Sequence, residues 1–182
     1  MFASRPPPRR RRDGRNRSRG SSTMSSNLHK PPRLLKVDII SAQDLAPVTR
    51  SMHTYAVAWV HPNRKLSTRV DARGRCDPTW NDKFVFCVDE EFLRCDTSAV
   101  MIEIYAVHWL RDVRIGTVRV LVSNFVPRSS RLSRRKQLIG MRVVALQVRR
   151  PSGRPQGILN VGGALLDSTM RSKPSSTRSD CI

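Results

Sequence analysis

Short β-rich runs, some of them apolar throughout and some alternating between apolar and polar residues, extend over most of the chain from residue 34 onward. In the clearest run, residues 65–70, Leu66, Thr68 and Val70 share one side and polar residues share the other. Because successive side chains of a strand point to opposite faces, this pattern predicts β-strands with one buried face. Eight such runs are separated by turn-forming residues, and no segment shows the period of an amphipathic helix. They are residues 34–40, 55–60, 65–70, 83–88, 99–107, 115–122, 141–148 and 157–166.

Eight short strands at this spacing are typical of an antiparallel β-sandwich, so we predict an all-β fold with one domain over residues 33–166. The flanking segments differ from it in composition. Residues 1–32 are rich in Arg, Pro and Ser, and residues 167–182 are rich in Ser and Thr. Neither segment can bury enough apolar surface to offset the entropy cost of ordering, and we expect both to be disordered tails.

The chain carries a net charge of +20, and this surplus is not confined to the N-terminal segment. Residues 1–33 hold ten Lys and Arg against one Asp, and residues 34–166 hold 21 against 11 acids. A basic domain with a basic tail attracts polyanions, which are either anionic lipid headgroups or nucleic acid. The longest connector, residues 124–138, adds a second basic cluster of Arg128, Arg131, Arg134, Arg135 and Lys136.

Several motifs resemble those of C2 domains, a family of calcium- and lipid-binding modules. Residues 77–86 (DPTWNDKFVF) are similar to the family segment "NP-W-NE-F-F", and residues 41–45 (SAQDL) resemble the turn after its first strand. Residues 115–116 (IG) match a later strand, and residues 145–160 resemble the last hairpin of the small plant cold- and stress-responsive C2 proteins. The resemblance covers roughly residues 33–170. It implies an eight-stranded antiparallel C2-type β-sandwich that serves as a docking module.

The resemblance also allows the calcium loops of the family to be checked residue by residue. Calcium-binding C2 domains hold the ion mainly with Asp side chains on two loops, here residues 45–54 and 105–116. The first loop contains no acid, and His53 stands where the family motif "DPY" has its Asp. In the second loop Asp112 is the one acid that remains. We therefore expect no bound calcium, and no other cofactor or metal site is predicted, because the Cys and His residues lack zinc-site spacing.

Positive charge and apolar side chains stand on the same two loops in place of the missing acids. Arg pairs with phosphate bidentately, and amphipathic side chains such as Trp are well suited to a membrane interface. We therefore predict calcium-independent docking to anionic phospholipid membranes. The residues predicted to dock are Arg50, Met52, His53, Trp109, Leu110, Arg111 and Arg114, with Lys65 and Arg69 on one strand face. The alternative is that these are ordinary solvated charges and that Trp109 packs within its loop.

The sequence contains no GxSxG, HExxH, P-loop or dinucleotide-binding motif, so we expect no enzymatic activity. The predicted role is that of a monomeric adaptor in the cytoplasm, peripheral to the plasma membrane or endoplasmic reticulum. The family resemblance implies plant stress or defence signalling. One alternative is a C2 module that binds a protein partner and has no membrane role. A third is polyanion or nucleic-acid binding through the Arg-rich tail, which also resembles a nuclear import signal. We expect the four cysteines to be free thiols in a reducing compartment.

Overall fold

The computed structural model of the chain describes residues 32–132, 140–166 and 177–179. In chain order, its elements are β1 (Arg33–Gln43), β2 (Thr54–Trp59), β3 (Lys65–Ser67), β4 (Thr79–Val88), α1 (Glu90–Arg94), β5 (Ala99–Ala106), β6 (Val113–Leu121), α2 (Val122–Phe125), α3 (Arg128–Leu132), β7 (Arg142–Arg149), β8 (Pro155–Leu166) and β9 (Thr177–Ser179). The strands β1 to β8 pair antiparallel with their neighbours. The predicted all-β fold with eight antiparallel strands is therefore confirmed.

The eight antiparallel strands form the two layers of a sandwich. One layer has the order β3-β2-β5-β6, and the other has the order β7-β8-β1-β4. The layers are joined along one side by the pair Thr117 and Arg149, which connects β6 to β7. The short strand β9 lies parallel to β4 at the outer edge of the second layer.

The hydrophobic core lies between the inner faces of the two layers. On β2 and β5 burial alternates residue by residue, with every second side chain facing the core. Complete burial of a large apolar side chain contributes roughly 1.5–3 kcal/mol relative to its exposure. The buried cluster draws on every one of the strands β1, β2, β4, β5, β6, β7 and β8. Its largest fully buried side chains include those of Phe84, Phe86, Phe125, Ile102, Ile104 and Leu159.

Most strand ends differ from the prediction by a few residues, and two of these differences have a clear local cause. β3 ends just before Thr68, whose hydroxyl oxygen accepts a hydrogen bond from the Ala56 N–H at 2.9 Å in place of a backbone carbonyl. β4 begins earlier than predicted, at Thr79. Trp80 anchors this end, because its ring is buried and its indole N–H donates to the Thr54 carbonyl oxygen at 3.0 Å. Local side-chain hydrogen bonds set the end of β3 and the start of β4, and the pattern of apolar and polar residues cannot reveal such bonds.

The connector predicted as a basic loop contains the short helices α2 and α3. Arg131 of α3 is only 4% exposed. Its guanidinium donates to the Leu93 carbonyl oxygen at 3.2 Å and to the Asp96 carboxylate at 2.9 Å, and Arg128 donates to the same carboxylate at 3.2 Å. Arg131 is therefore a structural residue and not a member of an exposed basic cluster. Outside the described residues lie the other members of that predicted cluster, Arg134, Arg135 and Lys136.

The C-terminal segment contributes a strand, and Cys87 takes part in a disulfide. Thr177–Ser179 pair with β4 as β9, whereas the other residues of the two predicted tails, 1–31, 167–176 and 180–182, lie outside the described residues. Cys87 is disulfide-bonded, so the expectation that every cysteine is a free thiol is wrong. Cys76 and Cys95 are free. No helix among the described residues is long and apolar enough to cross a membrane.

The turn between β3 and β4 is organised by the carboxylate of Asp71. It accepts hydrogen bonds from the backbone N–H groups of Arg73, Gly74 and Thr79 at distances between 2.7 and 2.9 Å. Burial alone would raise the pKa of Asp71, but these donors together outweigh burial and hold its pKa below the ordinary value of 3.8. The charged form of Asp71 therefore stabilises this turn.

Replacing Gly163 by Ala is expected to destabilise the sandwich. A Cβ atom at this position of β8 would lie 2.2 Å from Cγ of Phe125, whose ring is fully buried. We expect a loss of about 1–3 kcal/mol, visible as a lower Tm in thermal unfolding followed by circular dichroism. The control is Gly140→Ala, because a Cβ there meets nothing within 4 Å. Equal Tm values for the two variants would contradict the packing described.

Replacing Asp71 by Asn is expected to lower stability at neutral pH but not in acid. Because the folded-state pKa is depressed, the contribution of the carboxylate is full above the unfolded-state pKa and is lost as the pH falls through the folded-state pKa. The difference in free energy of unfolding from wild type, about 1 kcal/mol at neutral pH, should shrink below pH 3.8.

Urea unfolding at neutral and acidic pH measures this difference. Glu91→Gln on α1 is the control, because the Glu91 side chain is exposed and makes no hydrogen bond or ion pair with a described residue. We expect this variant to match wild type at both pH values. An Asp71→Asn deficit that does not depend on pH would show that the charge of Asp71 is not what stabilises the turn.

Candidate functional site

Four connections meet at one end of the sandwich, which we call the loop end. β1, β3, β5 and β7 run toward it, and their antiparallel partners run away from it. The connections are loop 1 (residues 44–53), loop 2 (68–78), loop 3 (107–112) and loop 4 (150–154). The sequence prediction used only loops 1 and 3. The strand order brings loops 2 and 4 to the same end.

Backbone hydrogen bonds tie the first three loops to one another. The His53 carbonyl oxygen in loop 1 accepts from the Val107 N–H in loop 3 at 2.8 Å. The Leu45 N–H donates to the Cys76 carbonyl oxygen in loop 2 at 3.0 Å. At the start of loop 1 the backbone N–H of residue 44 donates to the Asp77 carboxylate at 2.9 Å. The loops therefore present one shared surface.

Exposed arginines lie on all four loops of this end. Their side chains form no ion pair with a described carboxylate, so their charge faces solvent. The sequence prediction identified the arginines of loops 1 and 3 and missed those of loops 2 and 4. The missed residues are visible in the sequence, but only the strand order assigns them to this end. The five side chains are Arg50, Arg73, Arg75, Arg111 and Arg154.

The other predicted basic residues are placed differently. Arg114 lies on β6, and its guanidinium is 3.0 Å from a neighbouring carboxylate on β5. Arg69 lies in loop 2, where it pairs with the Asp82 carboxylate at 3.1 Å. Lys65 lies on β3 with its ammonium 4.1 Å from the centre of the Trp59 ring. The predicted basic strand face is therefore not continuous, because Arg69 belongs to the loop end and Lys65 to the outer face of the sheet.

The tip of loop 3 exposes two large apolar side chains. Trp109 is 87% exposed and Leu110 is 75% exposed, which excludes packing of Trp109 within its loop. Met52, predicted as a further docking residue, is only 2% exposed. Its sulfur accepts a hydrogen bond from the Val48 N–H at 3.4 Å, so Met52 packs beneath loop 1 and belongs to the core. This corrects the prediction for Met52, whereas His53 is exposed beside it.

The remaining loop acid, Asp112, is held by hydrogen bonds on both carboxylate oxygens. Tyr55 on β2 donates its hydroxyl to Oδ2 at 2.7 Å, and the backbone N–H of His108 donates to Oδ1 at 3.1 Å. These bonds, with the Tyr55 hydroxyl first, hold the pKa of Asp112 below its usual range. Burial and the bond to Asp112 raise the pKa of Tyr55 to about 12, so its hydroxyl stays protonated as a donor.

The two loops that hold calcium in the family carry few carboxylates in this chain. Calcium takes six to eight oxygen ligands, several of them carboxylates. Residues 45–53 of loop 1 contain no acid, and in loop 3 Asp112 is the one acid. Among the residues that the structure describes, no group of three or more His, Cys, Asp or Glu side chains is placed to hold a metal ion. On the two family calcium loops the exposed Arg50 and Arg111 therefore stand beside a single loop 3 acid, Asp112.

Comparison with solved structures agrees with this architecture. The first C2 domain of plant extended synaptotagmin 1 matches with a TM-score of 0.58 at 16% identity, over 75% of this chain and 95% of that domain. Human GIVD cytosolic phospholipase A2 also gives a TM-score of 0.58 at 16% identity, over 78% of this chain. The chain spans only 17% of the phospholipase. At these identities the likeness shows the fold alone.

Sequence comparison agrees with the structural one. No curated protein matches the chain. The family model described as "C2 domain" matches residues 33–147, which begins at the first residue of β1 and ends within β7. That match covers more than half of the sequence, and the chain belongs to the C2 domain family.

Proposed function

We propose that the loop end binds the surface of anionic phospholipid membranes without calcium. The observation that carries this proposal is the exposed tip of Trp109 and Leu110 at the same end as exposed arginines from four loops. Trp and Leu can enter the interfacial region, where the Trp ring is well accommodated. Each basic residue near an anionic leaflet adds about 1 kcal/mol. Several arginines together with an apolar tip therefore give usable affinity.

Calcium is not required in this proposal because the loops already carry positive charge. In a calcium-dependent C2 domain the ion bridges loop carboxylates to lipid phosphate. Here the loops already carry guanidinium groups, which bind phosphate with two parallel hydrogen bonds. The acid that remains, Asp112, is engaged by Tyr55 and His108. Calcium would have to displace these bonds and would still lack carboxylate ligands.

We further propose that the protein acts as an adaptor and has no catalytic role of its own. Anionic lipids concentrate in the cytoplasmic leaflet, which supports docking at the cytoplasmic face of the plasma membrane or endoplasmic reticulum. The resemblance of residues 145–160 to the small plant cold- and stress-responsive C2 proteins supports a role in stress or defence signalling.

Vesicle sedimentation tests the membrane proposal directly. We expect the chain to sediment with vesicles that contain phosphatidylserine and not with vesicles of phosphatidylcholine alone. Because arginine supplies the charge, a calcium chelator should leave binding unchanged, and raised salt should weaken it by screening. Binding that requires added calcium would contradict the calcium-independent mechanism. Failure to bind either vesicle would favour the alternative in which the module binds a protein partner.

Single substitutions test whether the loop end is the docking surface. Arg111→Gln should weaken binding about fivefold, which corresponds to roughly 1 kcal/mol. Arg94→Gln removes the same charge at the opposite end, on α1, where Arg94 pairs with Glu90 at 2.6 Å, and should leave binding unchanged. Trp109→Ala should weaken binding and abolish the blue shift of tryptophan fluorescence on vesicle addition. Equal effects of Arg111→Gln and Arg94→Gln would show that binding depends on the total charge of the protein, basic tail included, and not on the loop end.

A further inference from the structure

The carboxylate of Asp112 makes one hydrogen bond within loop 3 and one to the sheet. Its Oδ1 atom accepts from the backbone N–H of His108, four positions earlier, and this bond closes loop 3 on itself. Its Oδ2 atom accepts a hydrogen bond from the hydroxyl of Tyr55. Tyr55 lies on β2, the strand that pairs with β5. Between the two bonded residues of loop 3 lie the exposed Trp109, Leu110 and Arg111. Asp112 therefore sets the shape of the segment that carries the apolar tip.

Tyr55 is itself held in place by its neighbours. Its ring stacks on the ring of Tyr105, which stands directly opposite on β5, with centroids 5.5 Å apart and an interplanar angle of 15°. The Tyr105 hydroxyl donates to the Glu103 carboxylate at 2.8 Å, and Arg114 donates to the other oxygen of that carboxylate at 3.0 Å. The donor that holds Asp112 is thus part of a connected set of bonds on the outer face of the sheet.

We propose that the hydrogen-bonded set of Tyr55, Asp112 and the His108 N–H is a brace that holds loop 3 in its membrane-docking shape, and that Asp112 acts as a positioning residue. This inference rests on the proposed membrane function. The brace fixes loop 3 before any contact with lipid, so less ordering entropy is lost on binding. A loop held in this way does not need a metal ion to order it.

The brace predicts that Asp112→Asn lowers membrane affinity, whereas the change in charge alone would raise it. A negative charge close to an anionic membrane opposes binding, so on charge alone Asp112→Asn should bind more tightly. If the brace orders the docking loop, the same substitution should bind less tightly although the net charge rises. An Asn side chain has one acceptor oxygen in place of two, and its NH₂ group cannot accept from Tyr55 or from the His108 N–H.

Hydrogen exchange of the His108 amide measures the brace without any membrane. In the full chain we expect this amide to exchange about tenfold faster in Asp112→Asn than in wild type, since a hydrogen bond to a charged group is lost. Tyr55→Phe keeps the ring stack and removes only the hydroxyl, and it should also accelerate exchange. The double variant should show less than the sum of the two single effects, because both substitutions break one connected unit.

Vesicle binding measures the consequence of the brace. Asp112→Asn should bind phosphatidylserine vesicles about threefold less tightly than wild type. The control for charge is Glu91→Gln, which removes one acid from α1 at the opposite end and should bind as tightly as wild type or more tightly. Tyr105→Phe is the control for loss of a tyrosine hydroxyl, because the Tyr105 hydroxyl contacts Glu103 and not Asp112. This variant should leave the exchange rate of the His108 amide unchanged.

The two measurements separate failure of the brace from failure of the membrane function. Unchanged exchange at His108 in both brace variants, or equal or tighter vesicle binding by Asp112→Asn, would overturn the role of Asp112 and leave membrane binding intact. If wild type fails to bind vesicles, the proposed function is wrong, and the positioning of loop 3 for a membrane is overturned with it. Faster exchange together with weaker binding supports both.

Discussion

Burial of one face of every antiparallel strand in a shared core holds the two layers together, and it limits where the rest of the chain can lie. Along β2 and β5 each second residue enters that core. A shift of one residue would turn the apolar face outward, so the register is strongly specified. Once strand directions and register are set, four connections must emerge at the same end. The loop end is a consequence of core packing and not a separately encoded feature.

The strands were predictable because their signal is periodic and local. Over residues 99–107 the run reports which face is buried without knowledge of the partners. In residues 65–70 the same reasoning was wrong for Val70, which is 52% exposed because β3 ends at Ser67. The helices α1, α2 and α3 escaped prediction because each has only four or five residues, which is too short for a helical period to appear. The strand β9 has three residues and pairs with β4 in parallel, a contact that no local pattern indicates.

The candidate site was predictable only in part, because its members depend on three-dimensional contacts. Trp109 and Arg111 follow from the family motifs, since these motifs locate loop 3. Met52 has the same apolar character as Leu110, and its burial beneath loop 1 depends on how the loop folds back. Arg131 has the same charge as the exposed arginines, and its burial depends on Leu93 and Asp96 in a distant connector. Side-chain type alone does not separate a docking residue from a structural one.

The acids and the arginines of the loop end have separate tasks. The carboxylates of Asp71, Asp77 and Asp112 accept hydrogen bonds from within the fold, while five exposed loop arginines face solvent. A guanidinium keeps its charge throughout the physiological pH range. A C2 domain with calcium loops reads the ion concentration of the cytosol, and its charge changes with that signal. A loop end built on arginine has constant charge, so under the proposed function its docking would follow the lipid composition of the bilayer and not an ion signal.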